Sequence, residues 1–252
     1  MERISSRKNG YIAYLRRLAS EGALRRGQGE TVLDGEKLLG EALSSGCEVT
    51  SVLTDEARIP ERLPDGAKLY CAPAELVGYA SPVKNSPGPV FTVRLPERRT
   101  PERVDCAIVL ESVQDPGNVG TVIRTANALG VGAVILTGDC ADPTSPRCVR
   151  STMGAAFRQY VIETDMPGLE QLLRKWELPL FGAALRPDAR DIRQAQLERA
   201  AVAVGNEGHG LSGELMELCD GAVIIPMVPG SESLNAAMAG TIIMWELSGR
   251  RL

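Results

Sequence analysis

The sequence predicts an α/β protein in two parts, a small N-terminal unit and a larger C-terminal unit with a mostly parallel sheet. Three observations carry this. Short apolar, β-branched runs alternate with helical segments through most of the 252 residues, the pattern of strands joined by crossover helices. That alternation is interrupted once, at 96–103, a polar stretch holding Pro96 and Pro101 and no periodicity, which reads as a linker. Beyond it the apolar runs are nearly continuous, as in strands buried on both faces. The expected organisation is a first unit over 1–95, the linker, and a second unit over 104–252.

In the first unit, Tyr11, Ile12, Leu15 and Leu18 share one face of a helix predicted over 11–24, with Arg16 and Arg17 outside. A strand at 31–33, a helix at 35–43, strands at 49–53 and 68–71 and a helix at 73–79 follow. The proline- and glycine-rich run 81–89 is a loop, and 90–93 closes the unit as a strand. In the second unit the strands are 106–110, 133–136, 160–162, 180–184, 201–204 and 222–225. The helices between them are 118–129, 146–157, 169–176 and a polar stretch at 189–197.

Composition excludes several chemistries. The six cysteines form no C-x-x-C pair and His209 is the only histidine, so neither a zinc cluster nor a Ser-His-Asp triad has its residues, and no metal is expected. No apolar run is long enough to span a bilayer and no charged-then-apolar signal opens the chain, so the cytoplasm is the expected compartment. The net charge of −4 hides an uneven distribution. Arg3, Arg7, Lys8, Arg16, Arg17, Arg25 and Arg26 face only Glu2 and Glu21 at the N-terminus. Local basic patches hold phosphate even on an acidic protein, and the same residues also suit a solvated helix face.

The chemistry concentrates in two stretches. Strand 201–204 opens into Gly205-Asn206-Glu207-Gly208-His209-Gly210-Leu211-Ser212, and strand 222–225 into the loop that ends at Ser233-Leu234-Asn235. Glycine-rich loops beyond strand carboxyl ends bring backbone groups close to a ligand. The helix over 233–245 has no charge before Glu246 and is expected to be buried on all sides, in the core or at a subunit interface. Ser233 and Asn235 stand where side chains cap a helix. Earlier, the helix after strand 106–110 buries Val119, Val122, Ile123 and Ala126 and sets Arg124 among small neighbours Thr121, Thr125 and Ala128, where its guanidinium is accessible to an oxyanion.

Three motifs in order, N-x-G-x-x-x-R-T at Asn118 to Thr125, G-N-E-G-x-G-L-S at Gly205 to Ser212, and I-P-M with S-L-N from Ile225 to Asn235, resemble those of the SpoU/TrmH-type RNA ribose 2′-O-methyltransferases of the SPOUT superfamily. The resemblance covers about 104–252, and a weaker one likens the first unit to the family's ribosomal-protein-like RNA-binding domain. It implies a deep trefoil knot, S-adenosyl-L-methionine as cofactor, RNA as substrate, and a homodimer. It assigns catalysis to Arg124, Asn118, Glu207, Ser233 and Asn235, and cofactor contacts to Thr137, Gly138, Gly205, Asn206, Ile225, Met227, Leu234 and Asn235. Arg7, Lys8, Arg16, Arg17 and Arg150 are expected to meet RNA, and Arg150, Ser151 and Gly154 resemble a stretch that lines the cavity. The presence of the first unit favours ribosomal over transfer RNA as substrate.

Two other readings stay open at this level. Gly208 to Gly213 also satisfies G-x-G-x-x-G, a dinucleotide fingerprint, although Pro226-Met227 stands where the acidic ribose-binding residue belongs. A non-catalytic RNA-binding relative would share the fold, and cofactor binding separates the three.

Overall fold

The computed structural model describes residues 1–248 except 61, 62, 64, 65, 85, 87, 97, 196, 229, 231 and 232. The chain forms two compact units, Met1–Glu97 with Thr144–Arg158, and Arg98–Pro143 with Gln159–Leu252.

The first unit runs β1 (Glu2–Arg3), α1 (Gly10–Ser20), α2 (Gly22–Gln28), β2 (Glu30–Asp34), α3 (Glu36–Ser44), β3 (Glu48–Thr54), β4 (Lys68–Cys71), α4 (Ala74–Ala80) and β5 (Val90–Arg94). Its five strands lie in the order β1-β4-β3-β5-β2. Alternation along the strands divides the core: Val32, Leu53 and Val90 pack with Ile12, Leu15 and Leu18 of α1 and Val77 of α4. Leu33, Val52, Phe91 and Val93 pack on the other face with Leu38 and Leu39 of α3. The helix expected over 11–24 is two helices. Glu21 is extended, at φ −104° and ψ 100°, between Ser20 and Gly22, residues with little helical preference.

The second unit begins with β6 (Cys106–Glu111), α5 (Pro116–Ala128) and β7 (Ala133–Thr137). The chain then contributes α6 (Pro146–Ser151) to the first unit. It continues with β8 (Val161–Glu163), α7 (Met166–Trp176), β9 (Leu180–Ala183), β10 (Arg190–Asp191), β11 (Ala200–Val204), α8 (Gly213–Leu218), β12 (Gly221–Ile224) and α9 (Ala236–Ser248). The seven strands are ordered β10-β12-β9-β11-β6-β7-β8, and all their pairings are parallel. Every residue of β6, β7 and β11 is buried, which is why these strands read as unbroken apolar runs.

Five expectations need correction. The helix over 146–157 ends at Ser151, because Met153 (φ 51°) and Gly154 (φ 91°) turn left-handed and only a 3₁₀ turn, Ala155–Phe157, follows. That segment also belongs to the first unit, where Val149 and Phe157 are buried beside Leu33 and Phe91. The polar stretch 189–197 is not a helix: β10 pairs with β12 at the sheet edge and a single 3₁₀ turn, Ile192–Gln194, follows. The last helix starts at Ala236 rather than 233, and it is not covered all round, since Met238, Ile242 and Trp245 are 60%, 38% and 59% exposed.

Candidate active site

In a parallel sheet every strand releases its loop at the same edge, so adjacent strands build one crevice. Here β12, β9 and β11 are neighbours, and a cavity of about 610 Å³ opens where they end. Val204 to Leu211 form one wall, Ala183 to Arg186 a second, and Ile225, Met227, Ser233, Leu234, Ala236 and Ala239 a third. The loop after β11 is closed tightly. Asn206 and Gly210 exchange backbone hydrogen bonds of 3.0 and 2.9 Å, and the Asn206 side-chain oxygen accepts from the backbone N–H groups of Gly208 and His209 at 2.8 and 3.2 Å. A Cβ at Gly205 would stand 2.2 Å from the Gly210 carbonyl carbon and 2.5 Å from the Leu211 nitrogen. Both are backbone atoms, so position 205 admits no side chain while the loop keeps this shape.

A polar chain crosses from α5 to the two loops. Asn118, in the first turn of α5, donates its side-chain amide to Oε1 of Glu207 at 2.7 Å. Its own oxygen accepts from Nδ2 of Asn235 at 3.1 Å. Asn235 in turn caps α9, its Oδ1 accepting from the N–H groups of Ala237 and Met238 at 3.0 and 3.3 Å. Capping and site-building are therefore one job for Asn235. Asn118 is held in place because Asp115 caps α5, accepting from Gly117 and Asn118 at 2.7 and 3.1 Å.

The other expected site residues divide. Gly205, Asn206, Glu207, Ile225, Met227, Ser233 and Leu234 line the cavity. Thr137 and Gly138 are not among its lining residues. Thr137 is buried at the end of β7, where its carbonyl accepts from Ser112 at 3.0 Å. Nor are Arg150, Ser151 and Gly154 among its lining residues; they belong to the first unit. Arg124 is exposed on α5, has no hydrogen-bond or ion-pair partner among the described residues, and stands six residues from Asn118, about 9 Å along the helix. His209, which the motifs leave without a role, is exposed on the cavity wall. The loop from Met227 to Ser231 lies partly outside the described residues, at 229 and 231.

Of the basic residues expected to meet RNA, Arg17 is held by Glu21 through two bonds of 2.9 Å. Arg150 pairs at 2.9 Å with Asp34, whose side chain is buried. Arg7 pairs with Glu75, and both it and Arg16 lie over the Tyr79 ring, at 4.7 and 4.4 Å from its centre. Lys8 is exposed and its ammonium has no partner among the described residues.

Two features escaped the sequence. The wall at Ala183 to Arg186 depends on β9 lying between β12 and β11, and strand order has no local signal. Glu111, at the end of β6, reads as a strand terminus but is buried. Its carboxylate accepts from the Ser212 backbone N–H at 2.7 Å and the Ser212 hydroxyl at 2.6 Å, tying the cavity loop to the sheet. Among the described residues no group of three or more His, Cys, Asp or Glu could hold a metal ion.

Comparison with known proteins agrees with this geometry. The profile of the SpoU rRNA Methylase family matches residues 105–245. The 23S rRNA (guanosine(2553)-2'-O)-methyltransferase RlmP of Bacillus subtilis is 32% identical over 99% of this chain and 100% of its own. A tRNA (guanosine(18)-2'-O)-methyltransferase of Thermus thermophilus is 33% identical, over 62% of this chain and 78% of its own. The solved structure of the SpoU methyltransferase AviRb from Streptomyces viridochromogenes, in complex with AdoMet, is 26% identical with a TM-score of 0.85, covering 97% of this chain and 98% of that one. With its three motifs gathered at the edge of one parallel sheet and the family profile spanning more than half its length, the chain belongs to the SpoU rRNA Methylase family.

Proposed function

We propose that this protein transfers a methyl group from S-adenosyl-L-methionine to a ribose 2′-hydroxyl of ribosomal RNA. The observation that carries the reading is the chain Glu207–Asn118–Asn235, set beside a cavity of a cofactor's size. The lining suits the cofactor. Leu211, Ile225, Met227, Leu234 and Ala236 are apolar, for an adenine and the methylene groups beside the sulfonium, while the glycine-rich loop at 205–210 brings backbone to the cavity wall for a ribose and an amino-acid head. When bound, S-adenosyl-L-methionine supplies an activated methyl group, and the protein's task is alignment.

Arg124 carries a guanidinium that stays protonated, and we assign it to anchor the phosphate next to the target ribose and to stabilise negative charge developing on the 2′-oxygen. Oε2 of Glu207 has no partner among the described residues, which leaves an acceptor to orient the ribose hydroxyl. Asn118, itself braced by Asn235, holds that carboxylate still, and Ser233 on the cavity wall contacts the ribose or cofactor. Lys8, Arg7 and Arg16 give the first unit phosphate-binding residues of its own. Ribosomal RNA is favoured because the RlmP relative spans both units, whereas the transfer-RNA relative matches 62% of this chain. Such a substrate supports the cytoplasm as the compartment.

The exposed stripe Met238, Ile242 and Trp245, spaced one turn apart on α9, supports a homodimer built on that helix. The packing of α9 against α5, β6 and β11 after the chain has left β12 supports the trefoil knot. The deciding experiment is methyl incorporation from labelled S-adenosyl-L-methionine into total ribosomal RNA and total transfer RNA, wild type beside Arg124→Ala. Alkali-resistant label in ribosomal RNA, lost in the variant, is the expected result. A protein that does not bind S-adenosyl-L-methionine overturns the proposal.

A further inference from the structure

The first unit contains a second cavity, of about 420 Å³, on the sheet face that α1 leaves partly uncovered. It is lined by Tyr11 and Tyr14 of α1, Glu30 of β2, Thr50 and Ser51 of β3, and Tyr70 of β4, with Thr92 of β5 at its floor. Three of the chain's five tyrosines are here, and the rings of Tyr11 and Tyr70 stack at 3.9 Å. The floor is built by a bulge: Val49 pairs with Val93 and Ser51 with Thr92, so Thr50 is an extra residue. In a regular strand Thr50 and Ser51 would point to opposite faces. Here both hydroxyls lie 2.5 Å from the Thr92 hydroxyl, the re-aiming that bulges produce beside functional sites.

Hydrogen-bond directions in this cluster follow from its carboxylate end. Glu30 accepts from Thr50 and, at 2.5 Å, from Tyr14. A carboxylate is the stronger acceptor, so the Thr50 proton is committed to it and Thr92 donates to Thr50. By the same step Ser51 donates to Thr92, and Tyr11 donates to Ser51 at 2.6 Å. The hydroxyl protons of Tyr11, Tyr14, Thr50, Ser51 and Thr92 are thus spent, and burial pushes the ionisation of Tyr11 and Tyr14 to higher pH so that both keep theirs. What these five side chains and Glu30 offer a ligand is acceptor capacity, the second lone pairs of the hydroxyls and of the carboxylate, beside the Tyr70 hydroxyl, which has no hydrogen-bond partner among the described residues. The rim carries the opposite character, for Lys68 is exposed and has no partner among the described residues, and Arg94 stands paired with Glu48 at 2.7 Å. A planar, aromatic-stacking ligand with adjacent N–H donors and an attached phosphate satisfies all three features.

We propose that this cavity takes an unpaired guanine nucleotide of the RNA substrate, its N1–H and N2–H groups donating toward Glu30 and its phosphate toward Lys68. This deepens the methyltransferase reading by assigning a substrate nucleotide outside the catalytic cavity, and it rests on that reading for the presence of RNA.

The test is titration of the full chain, labelled with ¹³C-tyrosine and saturated with S-adenosylhomocysteine, with each of the four nucleoside 5′-monophosphates. The expected result is that guanosine monophosphate shifts the ring signals of Tyr14 and Tyr70 and leaves Tyr160 unmoved. It should bind about tenfold more tightly than the other three. Glu30→Gln, with a donor in place of an acceptor, should erase that preference, and Lys68→Ala should weaken all four alike. The proposal is overturned if no tyrosine of the cavity responds, if Glu30→Gln keeps the preference, or if N-acetylarginine amide gives the same shifts as the nucleotide. Binding of S-adenosylhomocysteine is read separately, so a cavity that ignores guanine in a cofactor-binding protein defeats this inference alone, and absent cofactor binding defeats the methyltransferase reading alone.

Discussion

Asn118 donates to Glu207 at 2.7 Å across 89 residues of sequence, and the same side chain receives Asn235 from 117 residues further along the chain. Asn118 is the middle member, so its amide sets the direction of both bonds. Asn118→Asp would place two carboxylates in contact and lower kcat about 10- to 100-fold. The site is solvent-accessible, so the melting temperature should move little. Adding Glu207→Gln restores a donor and acceptor in reversed order and should recover part of the activity. A double variant no better than Asn118→Asp would mean that the carboxylate of Glu207 acts directly rather than through orientation.

Arg124 offers a separate test because nothing in the described structure occupies it. Arg124→Ala should abolish methyl transfer while leaving S-adenosylhomocysteine affinity, measured calorimetrically, within about twofold, since only differential binding to the reacting state is lost. Arg124→Lys keeps the charge but not the planar fork. It should retain about 1% to 10% of wild-type kcat, with KM for RNA raised. A lysine variant as inactive as alanine would show that the planar fork, rather than the charge alone, is what the reaction needs.

Buried Glu111 holds Ser212 by both its backbone N–H and its hydroxyl. Glu111→Ala removes both acceptors and should cost about 2 kcal/mol in urea unfolding. It should also weaken cofactor binding, because the loop that it anchors is a wall of the cavity. Glu111→Gln, which keeps one acceptor oxygen, should cost less on both measures. Equal losses would show that charge rather than hydrogen bonding ties the loop down.

The contrast between Glu111 and Asn118 explains what was legible in the sequence. Asn118, Glu207 and Asn235 sit in short motifs, and the strands that precede the first two, β6 and β11, are wholly buried and leave a continuous apolar signature. Glu111 follows such a run with no pattern to distinguish a buried anchor from an exposed strand end. Membership of α6 in the first unit was equally hidden. It depends on Val149 and Phe157 meeting Leu33 and Phe91, contacts between segments far apart in the chain. The turn at Met153 breaks a helix by adopting φ 51°, which no propensity of methionine foretells. Local order is written in the spacing of side chains, whereas the partner of each buried face is decided by the assembled sheet.

Cys219 gives a pH test. Burial, reinforced by the neighbouring Asp220 carboxylate, pushes its thiol up to about 11. At pH 8 roughly one molecule in a thousand then carries the thiolate, and alkylation by iodoacetamide should be slow at this position and accelerate toward pH 11. The native state keeps a proton that the unfolded chain loses nearer pH 9. Stability from this group is therefore full below that pH and declines as pH rises from 9 toward 11. Cys219→Ala should flatten the alkaline arm of the stability profile, and an unchanged arm would show that another group governs it.

The stripe of Met238, Ile242 and Trp245 tests the assembly. Isolated apolar residues are common on surfaces, but three spaced along one side of a helix whose other apolar residues are largely buried present a patch. Trp245→Glu puts a charge at its widest side chain, where burial against a second copy would leave that charge unpaired and destabilise the pairing by several kcal/mol. Sedimentation velocity should then show a monomer in place of the wild-type dimer, with the circular dichroism of the fold retained. Methyl transfer should fall with the dimer if Arg124 of one copy serves the cavity of the other, and complementation by an Arg124→Ala, Glu207→Ala pair of co-expressed chains reads that directly. Mixed dimers regain one working site when the two residues come from different subunits, provided the second site is not needed. A monomeric wild type would remove the interface and leave the stripe as a surface for some other partner.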